Sequence, residues 1–187
     1  MPSRIQQTVQ ALIVVDMQEA FVSGESAVPA AGRLLETVGV LLERARAAGR
    51  LVIHIQNDGP PGSPDEPNTP GWDLFFPAQE RGAEHVLRKS ADDAFEGTEL
   101  STLLKQHAVR CVAVCGVMSE MCVSATARSA LNLGWQVVLA HNAHATYDIP
   151  AVEGLTELVP HAVVSRVAEW ALGDEITIIV NAADIDF

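Results

Sequence analysis

VRCVAVCGVMSEMCVSATARSALNLG, residues 109–134, decides how the chain folds. Its first part, Cys111–Val117, is a short apolar run rich in β-branched residues. That pattern predicts a strand buried on both faces. The run breaks at Gly116-Val117-Met118-Ser119, and a helical pattern covers 120–133 until Gly134 stops it. The join holds a lone thiol, Cys122. A cysteine in the first turn of a helix meets the positive end of the macrodipole and unpaired N–H groups. That setting predicts a lowered thiol pKa, and the thiolate is the nucleophile. The same N–H groups can hold an oxyanion.

Outward from this stretch, strands and helices alternate. Ala11–Val15 reads as a buried strand ended by Asp16. A carboxylate there stands at the carboxyl edge of a sheet, where open α/β folds keep their sites; it reads equally as a turn cap. Gln18 and Phe21 follow, as pocket residues or as packing. The helix predicted over 29–48 has Pro29 at its start, Leu34, Leu35, Val38, Leu41, Leu42 and Ala45 as its stripe, and Gly49 at its end. A second strand covers 51–55; His54 inside it reads as a hydrogen-bonded core or interface histidine. Residues 56–77 form a long Gly/Pro-rich loop of the kind used as a lid or subunit contact. Its Trp72, Phe75 and Phe76 line a pocket or interface, or pack locally. A short strand over 84–88 delivers Lys89, either a solvated charge or a site residue. Thr98 is the expected N-cap of a helix over 99–106.

Beyond Gly134, a strand is predicted over 135–140. A loop with His141, His144 and Tyr147 follows at the same edge of the sheet. Two histidines so spaced are a thin basis for a metal site, since no third ligand is evident. Helices are predicted over 150–158 and 160–172, the second turning Val163, Val164, Val167, Ala168 and Trp170 inward. A last strand covers 176–180, and residues 184–187 are a tail able to add to a neighbour. The alternation predicts one α/β domain over residues 1–187: an open, mostly parallel six-stranded sheet with helices on both faces. Asp16, Lys89 and Cys122 all end or follow strands at one edge, and they converge if those strands are neighbours.

The composition sets limits. A chain of 187 residues, 48% hydrophobic and 19% charged, is of ordinary globular type. A net charge of -12 argues against nucleic acid and anionic membranes as partners. The N-terminal residues show no signal core and no run is long enough to span a bilayer, so the expected location is the cytoplasm. Three cysteines without zinc-type spacing imply neither a disulfide framework nor a structural zinc. Cys111 and Cys115 read as small core residues.

Four pieces, in this order and spacing, resemble the isochorismatase-like cysteine hydrolase superfamily: ALIVVDMQ with Asp16, LRKSADDAFEGTEL with Lys89, CGVMSEMCVSATARSA with Cys122, and HNAHATYD. The segment SRVAEWALGDEI resembles the subgroup that includes streptothricin hydrolases, which open a cyclic amide. The resemblance implies a triad in which Asp16 acts as base on Cys122 while Lys89 orients Asp16 and favours the thiolate. It also implies a cis peptide between Val117 and Met118, with the N–H groups of Met118 and Cys122 as the oxyanion hole. Ser119 stands where the family usually has threonine. The expected reaction is hydrolysis of a C–N bond in a small amide, cyclic amide or ureide through a thioester, without cofactor or metal. Gln18, Phe21, Trp72 and Tyr147 are the expected substrate-pocket residues. The metal-binding Asp-x-His pair of nicotinamidases is missing, since Asp58 is followed by Gly59 and Pro60. Two other readings stay open: a vinyl-ether hydrolase of isochorismatase type, and a non-catalytic assembly or binding module. The aromatic loop and the apolar C-terminal segment point to a homodimer or homotetramer.

Overall fold

Ala11–Val15 forms β1, and all five of its residues are buried. Then follow α1 (Glu19–Val22), α2 (Ala31–Ala47), β2 (Leu51–Asn57), β3 (Glu84–Lys89), α3 (Leu100–Gln106), β4 (Cys111–Val117), α4 (Ser124–Asn132), β5 (Gln136–Ala145), α5 (His161–Ala171) and β6 (Thr177–Ile179). The computed structural model describes residues 8–79 and 83–187; the stretch 1–7 read above for a signal core lies outside them. The strands make one six-stranded sheet in the order β3-β2-β1-β4-β5-β6, with every neighbouring pair parallel.

Two cores explain why β1 reads as an unbroken apolar run. Its pleat sends alternate side chains to opposite faces. Leu12 and Val14 pack with Leu34, Val38, Leu41 and Leu42 of α2 on one side. Ile13 and Val15 pack with Leu100 and Leu104 of α3 and with Ala127 and Ala130 of α4 on the other. The chain moves outward from β1 to β3, then crosses back to β4 and moves outward the other way. The connections leaving β1 and β4 therefore diverge, and a crevice opens above the carboxyl ends of these two strands. Asp16 and Cys122 both lie there. Among the described residues no helix is long and apolar enough to cross a membrane.

The structure corrects several expectations. The segment 150–158 is not a helix. Bridges Ile149↔Val159 and Val152↔Thr156 make it a small antiparallel turn, with Gly154 at φ 76. A helix there has nothing to pack its apolar side on: Val152, Leu155 and Leu158 are exposed. The helix α5 forms, but its inward face is Val164, Ser165, Ala168 and Glu169, while Val163, Val167 and Trp170 face out. Buried polar partners for Ser165 and Glu169 decide its rotation. β5 does not stop at Ala140 but runs on through His144 to Ala145, past an irregularity in its pairing with β4. α3 starts at Leu100 with Glu99, not the expected Thr98, at its N-cap; Thr98 stands one residue earlier, where its Oγ1 accepts from the Leu100 N–H. Of the alternatives for the loop aromatics, Phe75 and Phe76 show local packing: they meet edge to face, with centroids 5.0 Å apart, and lie partly buried against the α2 core. The C-terminal tail also docks at home. Val9 N–H is donated to the Asp186 carbonyl, and the Arg44 guanidinium donates to the carbonyls of Ala182, Ala183 and Ile185.

Candidate active site

Lys89, the last residue of β3, joins three strand ends. Its Nζ lies 2.9 Å from Asp16 Oδ2. It also donates to Asn57 Oδ1 at 3.0 Å and to Cys122 Sγ at 3.3 Å. An ammonium has three donors, and all three are used. β3 is not the neighbour of β1, because β2 lies between them. Two strand spacings are roughly 10 Å, so the lysine reaches Asp16 by crossing the end of β2, where Asn57 pairs with it in register. Asn57 in turn donates to Asp65 Oδ2 at 2.6 Å. Both the Lys89 and Asp16 side chains are almost completely buried, at 0% and 3% exposure.

β1 and β4 approach closely beneath this cluster. Gly116 has φ 121, and a Cβ built on it would fall 2.0 Å from the Val15 carbonyl oxygen. Asp16 itself sits at φ 50, a left-handed conformation uncommon outside glycine. The Val117–Met118 peptide is cis. The wide turn Ser119–Val123 then bends at Met121 (φ -105, ψ -107), and α4 begins only at Ser124. Cys122 thus stands just before the helix rather than inside its first turn.

That placement helps to correct the expected thiolate. Burial and the neighbouring Asp16 carboxylate push the Cys122 thiol up, against the pull of the Lys89 ammonium. Burial also raises Asp16 to about 6, although Lys89 pulls it down. Burial disfavours the Lys89 charge, but Asp16 and Cys122 more than compensate and hold its pKa up. The resting site above pH 6 is therefore thiol, carboxylate and ammonium, a buried group of zero net charge. Asp16 Oδ1 is buried and has no hydrogen-bond partner among the described residues.

The four expected pocket residues fare unevenly. Gln18 has no exposed surface, and its amide bonds Asn57 N–H, Asn57 O and Trp72 O. It braces the site and does not line it. Phe21 is half-buried against the α2 core. Trp72 gives its indole N–H to Asp58 and lies under the Arg88 guanidinium, 5.0 Å from the ring. The Tyr147 hydroxyl donates to the Ser26 carbonyl at 2.7 Å. A cavity of about 640 Å³ beside the Cys122 turn has other walls: Asp92, Glu120, Met121, Arg128, Ile149 and Val167 among them. Asp92 Oδ1 lies 3.7 Å from Cys122 Sγ, so this cavity opens beside the sulfur. Asn57 and Asp92 were missed in the sequence. The strand-end position that marked Asp16 marks Asn57 as well. Asp92 carries no local signal that separates it from Asp93.

His54 is a core histidine as expected, its Nε2 3.3 Å from Glu84. Cys111 and Cys115 are buried, and burial drives the Cys115 thiol up to about 12. On β5, His141 and His144 do have a third polar partner, Glu169 of α5.

The isochorismatase domain pattern matches residues 10–169. The chain belongs to the isochorismatase family. Two proteins of Streptomyces noursei named streptothricin hydrolase are each 58% identical to it over 179 residues, 96% of this chain. The chain spans 65% of the length of one and 71% of the other. An isochorismatase structure from Pseudomonas putida superposes with a TM-score of 0.84 at 27% identity, covering 94% of this chain and 90% of that one. This isochorismatase-family chain thus shares its overall fold with that solved structure.

Proposed function

We propose that the chain is a cysteine hydrolase that cleaves a C–N bond of a small amide, cyclic amide or ureide. The observation that carries this reading is the Lys89 ammonium, 2.9 Å from Asp16 and 3.3 Å from the Cys122 sulfur. The free Asp16 Oδ1 takes the thiol proton as the sulfur attacks the carbonyl carbon. The carbonyl electron pair moves to oxygen, where the N–H groups of Met118 and Cys122 are the proposed donors. One such donor is commonly worth roughly 3 kcal/mol of barrier. Asp16 passes the proton to the leaving nitrogen and the C–N bond breaks, giving a thioester. Asp16 then takes a proton from water, hydroxide displaces the sulfur, and acid and thiol are released. Lys89 favours the ionised form of Asp16 to which each proton transfer returns it. No step calls for a cofactor.

The names of the Streptomyces noursei relatives make streptothricin the first substrate to try, followed by small lactams and ureides. The test is turnover with mass spectrometry of the quenched protein. The expected result is an acyl adduct on Cys122 and no turnover by Cys122→Ala. Turnover of a vinyl-ether compound added to the panel, kept by Cys122→Ala and lost in Asp16→Asn, favours the vinyl-ether reading. No turnover or adduct on any such compound favours the non-catalytic one.

We also propose self-association through the outer face of α5 and the turn at 149–159. Val163, Val167, Trp170, Val152 and Leu155 are all exposed there, Trp170 at 76% and Leu155 at 78%. The free state of all three cysteines supports a reducing, cytoplasmic setting.

A further inference from the structure

A polar chain runs behind the turn that carries Cys122, and the hydrolytic steps use none of it. Ser119 Oγ lies 2.9 Å from Ser165 Oγ and 2.8 Å from His144 Nδ1. The other nitrogen of that ring, Nε2, lies 3.1 Å from Glu169 Oε1. His141 Nδ1 meets the same carboxylate oxygen at 2.5 Å. Oε2 is met by Arg166, at 3.3 Å.

Strand geometry alone would not bring the two histidines together. Residues three apart on a regular strand point to opposite faces. Here the register slips: Leu139 pairs with Val114, but His144 already pairs with Gly116. The extra residues of β5 let His141 and His144 aim at one point. The three ligand atoms, one from each side chain, lie within 4.8 Å of one another. Glu169 is 3% exposed and His144 is 5% exposed, whereas His141 is open to solvent. A cavity of about 480 Å³ is lined by His141, His144 and Ser165.

We propose that His141, His144 and Glu169 bind one divalent transition-metal ion of the zinc type, with its remaining coordination position facing this cavity. Two imidazoles and a carboxylate suit zinc, and three protein ligands leave a tetrahedral site open at the fourth. Zinc at about 2.0–2.1 Å from each atom sets neighbouring ligands roughly 3.3 Å apart. Binding would widen the 2.5 Å contact of His141 with Glu169 and bring the two histidine nitrogens, now within 4.8 Å of each other, to that spacing. Binding requires neutral imidazoles with their inward lone pairs free. His144 then carries its proton on Nδ1 and donates it to Ser119 Oγ, while His141 carries its own on the outer nitrogen. Any proton held between the rings and Glu169 leaves to solvent as the ion enters. Ser119 becomes the outer partner that orients a ligand histidine. It directly follows Met118, so the ion sits one hydrogen bond behind the proposed oxyanion hole.

The test uses full-length Cys122→Ala, which removes the accessible thiol as a competing ligand; the other two cysteines are buried. Co²⁺ is titrated and its visible ligand-field bands are read, then Zn²⁺ is added to displace it. The expected result is one Co²⁺ per chain, displaced by Zn²⁺ and not by Mg²⁺. A second substitution, His141→Ala or Glu169→Gln, should weaken Co²⁺ binding at least tenfold. His141 is the safer position, because its exposed side chain can be removed without opening the core. Absence of the bands in Cys122→Ala, or bands of unchanged strength in the His141→Ala double variant, overturns the proposal. Turnover plays no part in this readout, so it stands or falls apart from the hydrolase reading.

Discussion

Asp16 is the residue whose charge sets the proposed chemistry. Its carboxyl rises from 3.8 to about 6 because burial disfavours the anion more than Lys89 restores it. Below that value the group is protonated and cannot accept the thiol proton. The kcat/KM of the enzyme should therefore fall about tenfold per pH unit below 6 and level off above it. A profile flat through pH 6, measured on a substrate that does not itself titrate, would count against Asp16 as the base. Asp16→Asn should lower kcat by roughly 10²–10⁴-fold, the usual worth of a general base. Lys89→Met is a sharper probe. It leaves the buried carboxylate without its cation, so Asp16 should hold its proton to higher pH. The expected outcome is a lower plateau and an acid limb shifted upward. A lower plateau with an unmoved limb would leave Lys89 without influence on Asp16.

At the scale of elements, the approach of β4 to β1 limits what the elbow can tolerate. Gly116 has φ 121, and an added Cβ would meet the Val15 carbonyl at 2.0 Å. Gly116→Ala combines backbone strain with a steric conflict and should cost about 3 kcal/mol or more in urea unfolding. Gly134, at φ 93, has nothing within 4 Å of its would-be Cβ. Gly134→Ala carries the conformational cost alone and should be the milder of the two, at about 1 kcal/mol. Equal losses would mean that the close approach contributes nothing. α5 shows how an element can be right in extent and wrong in orientation. Its period predicts a helix, and its valines and tryptophan predict the buried face. Glu169 and Ser165 take that face because two histidines and a serine await them.

For the whole molecule, the consequence is an apolar exterior on one side. Val167 at 59% exposure and Trp170 at 76% are unusual on a free surface. Light scattering at micromolar concentration should give a mass above the 20.0 kDa monomer. Val167→Glu with Trp170→Glu should lower that mass while the circular dichroism stays unchanged. A wild-type monomer would remove the proposed interface. The net charge of -12 adds repulsion between copies, so association should strengthen with added salt.

Much of this was legible in the chain itself. β1 and β4 fall on the predicted residues because a strand buried on both faces has no polar position to blur its ends. The places of Asp16 at the end of β1 and of Cys122 in the turn after β4 follow from the same runs, and Lys89 ends the separate strand β3. Other features needed the tertiary structure. The reach of Lys89 over β2, the meeting of His141 with His144, the outward turn of α5 and the raised thiol pKa all depend on segments distant in sequence. Periodicity records that a residue is apolar or polar every second or fourth position. It does not record what lies opposite, and burial beside a particular charge is a property of that opposite surface.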